Sequence, residues 1–264
     1  MPKLSIPRFH RQRFLLSFLE SSEGTLPKIE FHKKLFLLHQ KVGVSYYDFV
    51  SYNSSYYSFQ AESDIKTLQH LGWLKETDKE ITLLESVLTK NSTIAFDLKQ
   101  LDCLVGEEPS QPSIKKYQPN SCILFTIGYE GISFDAYANR LLENNIHLLC
   151  DVRKNPFSHK FGFSKNIMLN LLQKIGIKYQ HIPELGIVSA ARKNLKIKAD
   201  YLQLFQNYQA SLPQQKGAIK QLTDLLKNHR RIAITCFEKE HQMCHRHCIS
   251  DYLKIKNHQK VVHL

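Results

Sequence analysis

Arg231-Ile-Ala-Ile-Thr-Cys236-Phe-Glu238-Lys-Glu240-His241-Gln-Met-Cys244-His245-Arg246-His247-Cys248 is the stretch whose reading decides the fold. Arg231 to Phe237 is a compact apolar run of strand length, and 245–255 repeats apolar residues at helical spacing. A strand's carboxyl end followed by a helix's amino end is the repeating unit of an open α/β sheet, and ligands bind along that edge. Free N–H groups in the first helical turn favour an anion there. Between 236 and 248 stand three of the six cysteines, three histidines, two carboxylates and an arginine. Cysteine alone packs as a small hydrophobe, and a basic side chain near a helix end is often a solvated cap. Their joint placement points to a chemical site.

The same alternation extends outward from this stretch. Apolar runs at 122–127, 147–152, 178–182, 231–237 and 260–264 read as strands, and 133–144, 165–175, 200–211, 217–228 and 244–255 read as helices. The expected architecture for 121–264 is therefore α/β, a parallel Rossmann-like sheet flanked by helices. Strand order does not follow from the pattern.

Residues 1–90 read differently. Helical periods at 8–20, 27–41 and 58–71, then two short strands about a polar turn in 73–84, give the order of a winged-helix-like module. Such modules bind DNA through the third helix and the wing. Here the third helix carries Glu62 and Asp64 against Lys66, and the wing carries Glu76, Asp78 and Glu80, the wrong sign for phosphate. A protein partner, or a homodimer through this domain, is the better expectation. The aromatic run from Tyr46 to Phe59 would serve as an interface or pack the helices together. Residues 91–120, with one short helix at 93–104 followed by Gly106, Pro109, Pro112 and Pro119 among polar residues, read as a linker.

The 264 residues can bury a core without staples. No apolar run approaches a bilayer span, so no membrane role is expected, and the short run Phe14–Leu19 lacks a cleavage site. Scattered cysteines suit a reducing cytoplasm. The net charge of +12 is lopsided: residues 1–120 carry 15 Lys+Arg against 14 Asp+Glu, whereas 121–264 carry 21 against 10. A basic domain attracts anions, which favours a nucleotide or nucleic-acid partner, although a basic surface kept for solubility would look the same.

In a parallel sheet all the strand carboxyl ends share one edge. The sequences there are Thr126-Ile-Gly128-Tyr129-Glu130-Gly131, Asp151-Val-Arg153, Pro156 with Ser158, Gly162-Phe163-Ser164, Pro183-Glu184-Leu-Gly186, Cys236-Phe-Glu238 and Cys244-His245-Arg246. In this order the motifs resemble the domain-of-unknown-function 488 family across 121–264, and the first ninety residues loosely resemble the winged-helix-like region that precedes the domain in some members. The resemblance implies the fold unit and the site without naming a reaction.

Roles come from the residues. Arg153 and Arg246 can present planar forks to phosphate or carboxylate, with Lys160 adding a point charge. Gly128 lets backbone approach closely. Tyr129, Glu130, Asp151, Ser158 and Phe163 complete the expected substrate wall. Cys236 and Cys244 are candidate nucleophiles, Cys244 the better placed if a helix amino end favours its thiolate. His245 would be base or orienting partner, and Glu238 or Glu184 would move protons. Zinc is the rival, with Cys236, Cys244, Cys248 and His241 or His247 as ligands, although the spacing matches no tight knuckle; no other cofactor is expected. The function expected is a cytoplasmic enzyme acting on a phosphate-bearing nucleotide or nucleic acid. The alternatives are a non-catalytic nucleic-acid-associated regulator and a structural zinc domain.

Overall fold

The computed structural model describes residues 5–43, 45–52, 55–86, 121–192, 195 and 197–264. The chain divides into two compact units, Met1–Ser113 and Ile114–Leu264. The expected linker and its short helix at 93–104 lie outside the described residues.

The first unit runs α1 (His10–Glu20), β1 (Thr25–Pro27), α2 (Lys28–Val42), β2 (Val50–Tyr52), β3 (Ser55–Tyr57), α3 (Phe59–His70), β4 (Leu74–Glu76) and β5 (Glu80–Leu83). Its three helices and final hairpin stand where their periodicity places them. Ser58 starts α3 by accepting from the Ala61 N–H at 3.2 Å, a cap contributing about 1 kcal/mol. Two features went unread because three-residue strands are too short to show a period. β1 joins the hairpin as a sheet ordered β1-β5-β4, and the aromatic run folds back as the antiparallel pair β2-β3.

Phe14, Phe18, Phe31, Leu35, Leu68 and Trp73 fill the core. Asp64 does not lie on the surface of α3 but is turned inward, accepting from Arg11 Nε at 2.7 Å and Gln12 Nε2 at 2.9 Å, with the Tyr47 hydroxyl 3.1 Å away. The acid that weighed against phosphate contact is thus part of the core, leaving Glu62 opposite Lys66 at 3.8 Å.

The second unit is a five-stranded parallel sheet. Its elements are β6 (Ile123–Gly128), α4 (Phe134–Glu143), β7 (Leu148–Asp151), α5 (Lys165–Lys174), β8 (Lys178–His181), α6 (Lys198–Ser211), α7 (Lys216–His229), β9 (Arg231–Cys236), α8 (Arg246–Asn257) and β10 (Lys260–His263). All five expected strands and all five helices are present. Every residue of β6, β7 and β9 is buried, as a sheet covered on both faces requires.

The strand order is β10-β6-β9-β7-β8. Right-handed crossovers then put α4 and α5 on one face and α6, α7 and α8 on the other. Leu124, Leu148, Cys150, Ile232 and Ile234 accordingly pack with Leu222, Ile249 and Leu253, while Tyr137 of α4 donates to Thr235 Oγ1 at 2.8 Å on the opposite face. β9 lies between β6 and β7, and its exit loop leaves to the face opposite theirs. That reversal opens a crevice at the carboxyl ends of the three central strands. Among the described residues, no helix is long and apolar enough to cross a membrane.

Candidate functional site

The crevice gathers most of the expected side chains. Gly128 pairs with Cys236 in register, and Asp151 with Thr235. A cleft of about 340 Å³ lies here, lined by Tyr129, Arg153, Lys154, Phe157, Ser158 and Cys236, with Phe237 and Ile187 alongside. The volume suits a small ligand.

Arg153 is nearly buried and heavily committed. Its Nε and Nη2 donate to Asp151 Oδ1 and Oδ2 at 2.8 and 2.5 Å, and its Nη1 donates to the Tyr129 hydroxyl at 2.8 Å and the Phe163 carbonyl at 2.9 Å. The Tyr179 hydroxyl, which also donates to Asp151 Oδ2 at 2.7 Å, lies against the same guanidinium, so its donors are largely engaged within the protein. Burial alone would lower its affinity for the proton, but the Asp151 carboxylate outweighs this and raises it. Phe163 is wholly buried, its ring stacked on Tyr129 at 4.2 Å; it builds the floor through its carbonyl and ring instead of facing substrate. Lys160 donates to the Tyr129 carbonyl at 3.1 Å, and burial lowers its pKa. The Ser158 hydroxyl accepts from Lys160 N at 3.1 Å.

Arg246, expected to grip an anion, is fully buried. Its Nη1 donates to the Glu238 carbonyl and its Nη2 to the Lys239 carbonyl at 2.7 Å. Its Nε is buried with no hydrogen-bond partner. The arginine therefore ties the loop after β9 to the start of α8. That loop lies so close over Gly128 that a Cβ there would meet the Glu238 carbonyl. The room made by this glycine is occupied by the protein's own backbone, not by a ligand.

The cysteine cluster is compact. Cys236 Sγ donates to Glu238 Oε2 at 3.3 Å and lies 3.6 Å from His245 Nδ1, and Cys244 Sγ lies 3.9 Å from the same nitrogen. His245 Nε2 is 3.1 Å from the Val152 carbonyl. A carbonyl can only accept, so Nε2 carries a hydrogen, and Nδ1 is the nitrogen that faces the two sulfurs.

Cys244 precedes the helix in extended backbone, after the 3-10 turn His241–Met243. Burial and the neighbouring Cys236 push its thiol well up, more than Arg246 pulls it down. Cys236, on the cleft wall, is the better-placed sulfur.

The ligand set anticipated for zinc does not assemble. Cys248 packs against the Phe205 carbonyl and His247, and His241 stacks on His263 at 3.7 Å. Instead Cys236, Cys244 and His245 bring ligand atoms within 4.8 Å of one another. Glu130 Oε2 accepts from Lys239 N at 2.9 Å, and Glu184 stands exposed on the turn Pro183–Leu185. Five cleft residues were missed: Lys154, Asn155, Phe157, Ile187 and Phe237; the exposure of the two phenylalanines had no sign in the sequence, where an aromatic beside a strand reads as core.

Residues 133–253 match the family model described as "Domain of unknown function DUF488". The second unit is a DUF488 domain. The match runs from the Ser133 cap of α4 into α8, so the DUF488 domain holds Asp151, Arg153, the cysteine cluster and most of the cleft. Over 78 residues, 30% of this chain, the sequence is 33% identical to the bifunctional riboflavin kinase/FMN adenylyltransferase of Buchnera aphidicola subsp. Acyrthosiphon pisum (strain APS); the stretch spans 24% of that relative's length. No solved structure matches the chain.

Proposed function

We propose that the DUF488 domain is a thiol-dependent enzyme acting on a phosphate-bearing substrate, a nucleotide or nucleic acid, in the cleft at the strand ends. One observation carries the reading: the Cys236 sulfur lies between the Glu238 carboxylate and His245 Nδ1 on a wall shared with Arg153 and Lys154. The basic excess of 121–264 and the partial likeness to a riboflavin kinase/FMN adenylyltransferase agree with it.

In the reaction, Lys154 holds the phosphate, with the Arg153 guanidinium adding positive charge to the same wall. Glu238 takes the Cys236 proton as sulfur attacks phosphorus, then returns it to the departing oxygen; an S–P bond forms and the P–O bond breaks. Water next attacks phosphorus, its proton passing to Glu238 and on to the released thiolate. Such acid–base help is worth about 10²–10⁴ in rate. Turnover of a nucleotide and oligonucleotide panel tests this. Cys236→Ser should cut it at least about 100-fold while ligand-induced stabilisation persists; undiminished turnover would overturn the assignment.

A second reading is favoured by the three clustered ligand atoms. Cys236, Cys244 and His245 would hold zinc and leave one position open toward the cleft, with the Val152 carbonyl orienting the imidazole. Stoichiometric zinc in the purified protein, lost in Cys244→Ser, decides for this reading against the thiol nucleophile.

For the first unit, the order α1-β1-α2-β2-β3-α3-β4-β5, with β2-β3 a separate hairpin, and the β1-β5-β4 sheet support a winged-helix-like module. Exposed Ile29 and Leu84 and the acids Asp78 and Glu80 on the hairpin suit a protein partner or a homodimer better than DNA.

A further inference from the structure

The geometry points to Phe157 and Phe237 as the two rings that receive a nucleobase at the mouth of the cleft, with Lys154 placed for the attached phosphate. This rests on reading the cleft as a phosphate site. Both rings line the cleft, yet Phe157 is 62% and Phe237 46% exposed. A large aromatic left half in water forgoes the gain of burying the rest of its apolar surface, so two on one small cleft call for an occupant.

Their exposure is not looseness of the loops. On either side of Phe157, the Pro156 carbonyl accepts from Lys165 N at 2.9 Å, Ser158 N donates to Ser164 Oγ at 3.1 Å, and the Ser158 carbonyl accepts from that hydroxyl at 2.8 Å. The Phe237 carbonyl accepts from both Tyr129 N at 3.1 Å and Glu130 N at 2.9 Å. Hydrogen-bonded backbone thus presents each ring in a set place. Behind Phe237, Tyr129 meets it edge-on at 5.3 Å and stacks in turn on Phe163, which stiffens the support.

The chemistry around the rings selects the occupant. Arg153, Lys154 and Ser158 share the lining, so an apolar planar group must arrive with an anion attached. A nucleobase on a phosphorylated sugar has both, and any base offers a face for stacking. A purely aliphatic occupant would offer Lys154 no counter-charge. Free nucleotide and single-stranded nucleic acid present the same base-plus-phosphate chemistry.

The full chain is titrated with ribose 5-phosphate, adenosine 5′-monophosphate and a short oligothymidylate, in the wild type and in Phe157→Ala, Phe237→Ala and Phe237→Trp. The expected result is that a base-bearing probe binds at least about tenfold tighter than ribose 5-phosphate, that each alanine variant removes most of that advantage, and that Phe237→Trp keeps it. Ribose 5-phosphate affinity stays unchanged throughout, and unliganded melting temperatures stay near the wild type because the rings are exposed. Preference for the oligothymidylate assigns the polymer, and preference for the monophosphate the free nucleotide. Equal binding of all three probes overturns the stacking role while leaving the phosphate site standing. Binding of none overturns both.

Discussion

Asp151 grips Arg153 across two residues of one chain, each carboxylate oxygen accepting from a separate guanidinium nitrogen at 2.8 and 2.5 Å. The carboxylate is fully buried and the guanidinium 6% exposed. Tyr179 adds a third donor to Asp151 at 2.7 Å, and the cation goes on to hold Tyr129 and Phe163. The pair therefore joins the ends of β6, β7 and β8 to the segment before α5. Removing one partner of such a pair strands a buried charge and costs about 3–5 kcal/mol. Asp151→Asn should lower stability by that order, read from chemical denaturation. Tyr179→Phe, which removes one hydrogen bond and leaves the ion pair, should cost about 1.5–3 kcal/mol.

Buried acids of the second unit set its response to alkali. Burial raises the thiols of Cys150 and Cys244, pushes Cys248 up to about 12, and raises the Tyr137 and Tyr208 hydroxyls. A thiol whose folded pKa exceeds its unfolded value contributes stability fully present below the unfolded pKa, near 9, and lost as pH rises toward the folded one. The unfolded chain releases the proton first, so it binds fewer protons and the stability slope is negative. Under reducing conditions, denaturation midpoints should fall steadily above about pH 9. Cys150→Ala, which removes one buried thiol, should make that decline shallower by up to about 1.4 kcal/mol per pH unit; an unchanged slope would show that Cys150 titrates alike in both states.

Much of this architecture was legible because local signals agreed. Ser133 and Ser58 open the helical periods read at 133–144 and 58–71, and in the structure their hydroxyls cap α4 and α3; the continuous apolar runs of β6 and β9 announce strands covered on both faces. Strand order was not legible, since nothing local in Arg231–Cys236 says that it inserts between β6 and β7. The site was legible as a set of residues but not as a set of roles. Asp151-Val-Arg153 carries its own neutralising carboxylate two positions away, and Arg246 finds backbone carbonyls that only the folded loop supplies. His245, beside Cys244 in the chain, reaches Cys236 as well because the turn His241–Met243 folds the segment back. Phe157 and Phe237 escaped notice because exposure belongs to the fold.

Gly128 is where fold and site meet most closely. Its backbone has no positive φ, so alanine is conformationally permitted there and the main obstacle is the Glu238 carbonyl, with Arg246 Nη1, which holds that carbonyl, also crowding the added methyl at 3.1 Å. Gly128→Ala must push the loop after β9 outward, at a cost of about 1–3 kcal/mol, and in doing so carry Glu238 away from Cys236. Two readouts should move together: the melting temperature falls, and alkylation of Cys236, now 2% exposed, speeds up severalfold by peptide mass mapping. Gly131→Ala supplies the control. Its φ of +79 strains a side chain, but a Cβ there meets nothing within 4 Å, so it should cost about 1 kcal/mol and leave Cys236 alkylation unchanged. Equal acceleration in both variants would mean that general loosening, and not displacement of the Glu238 loop, exposes the thiol.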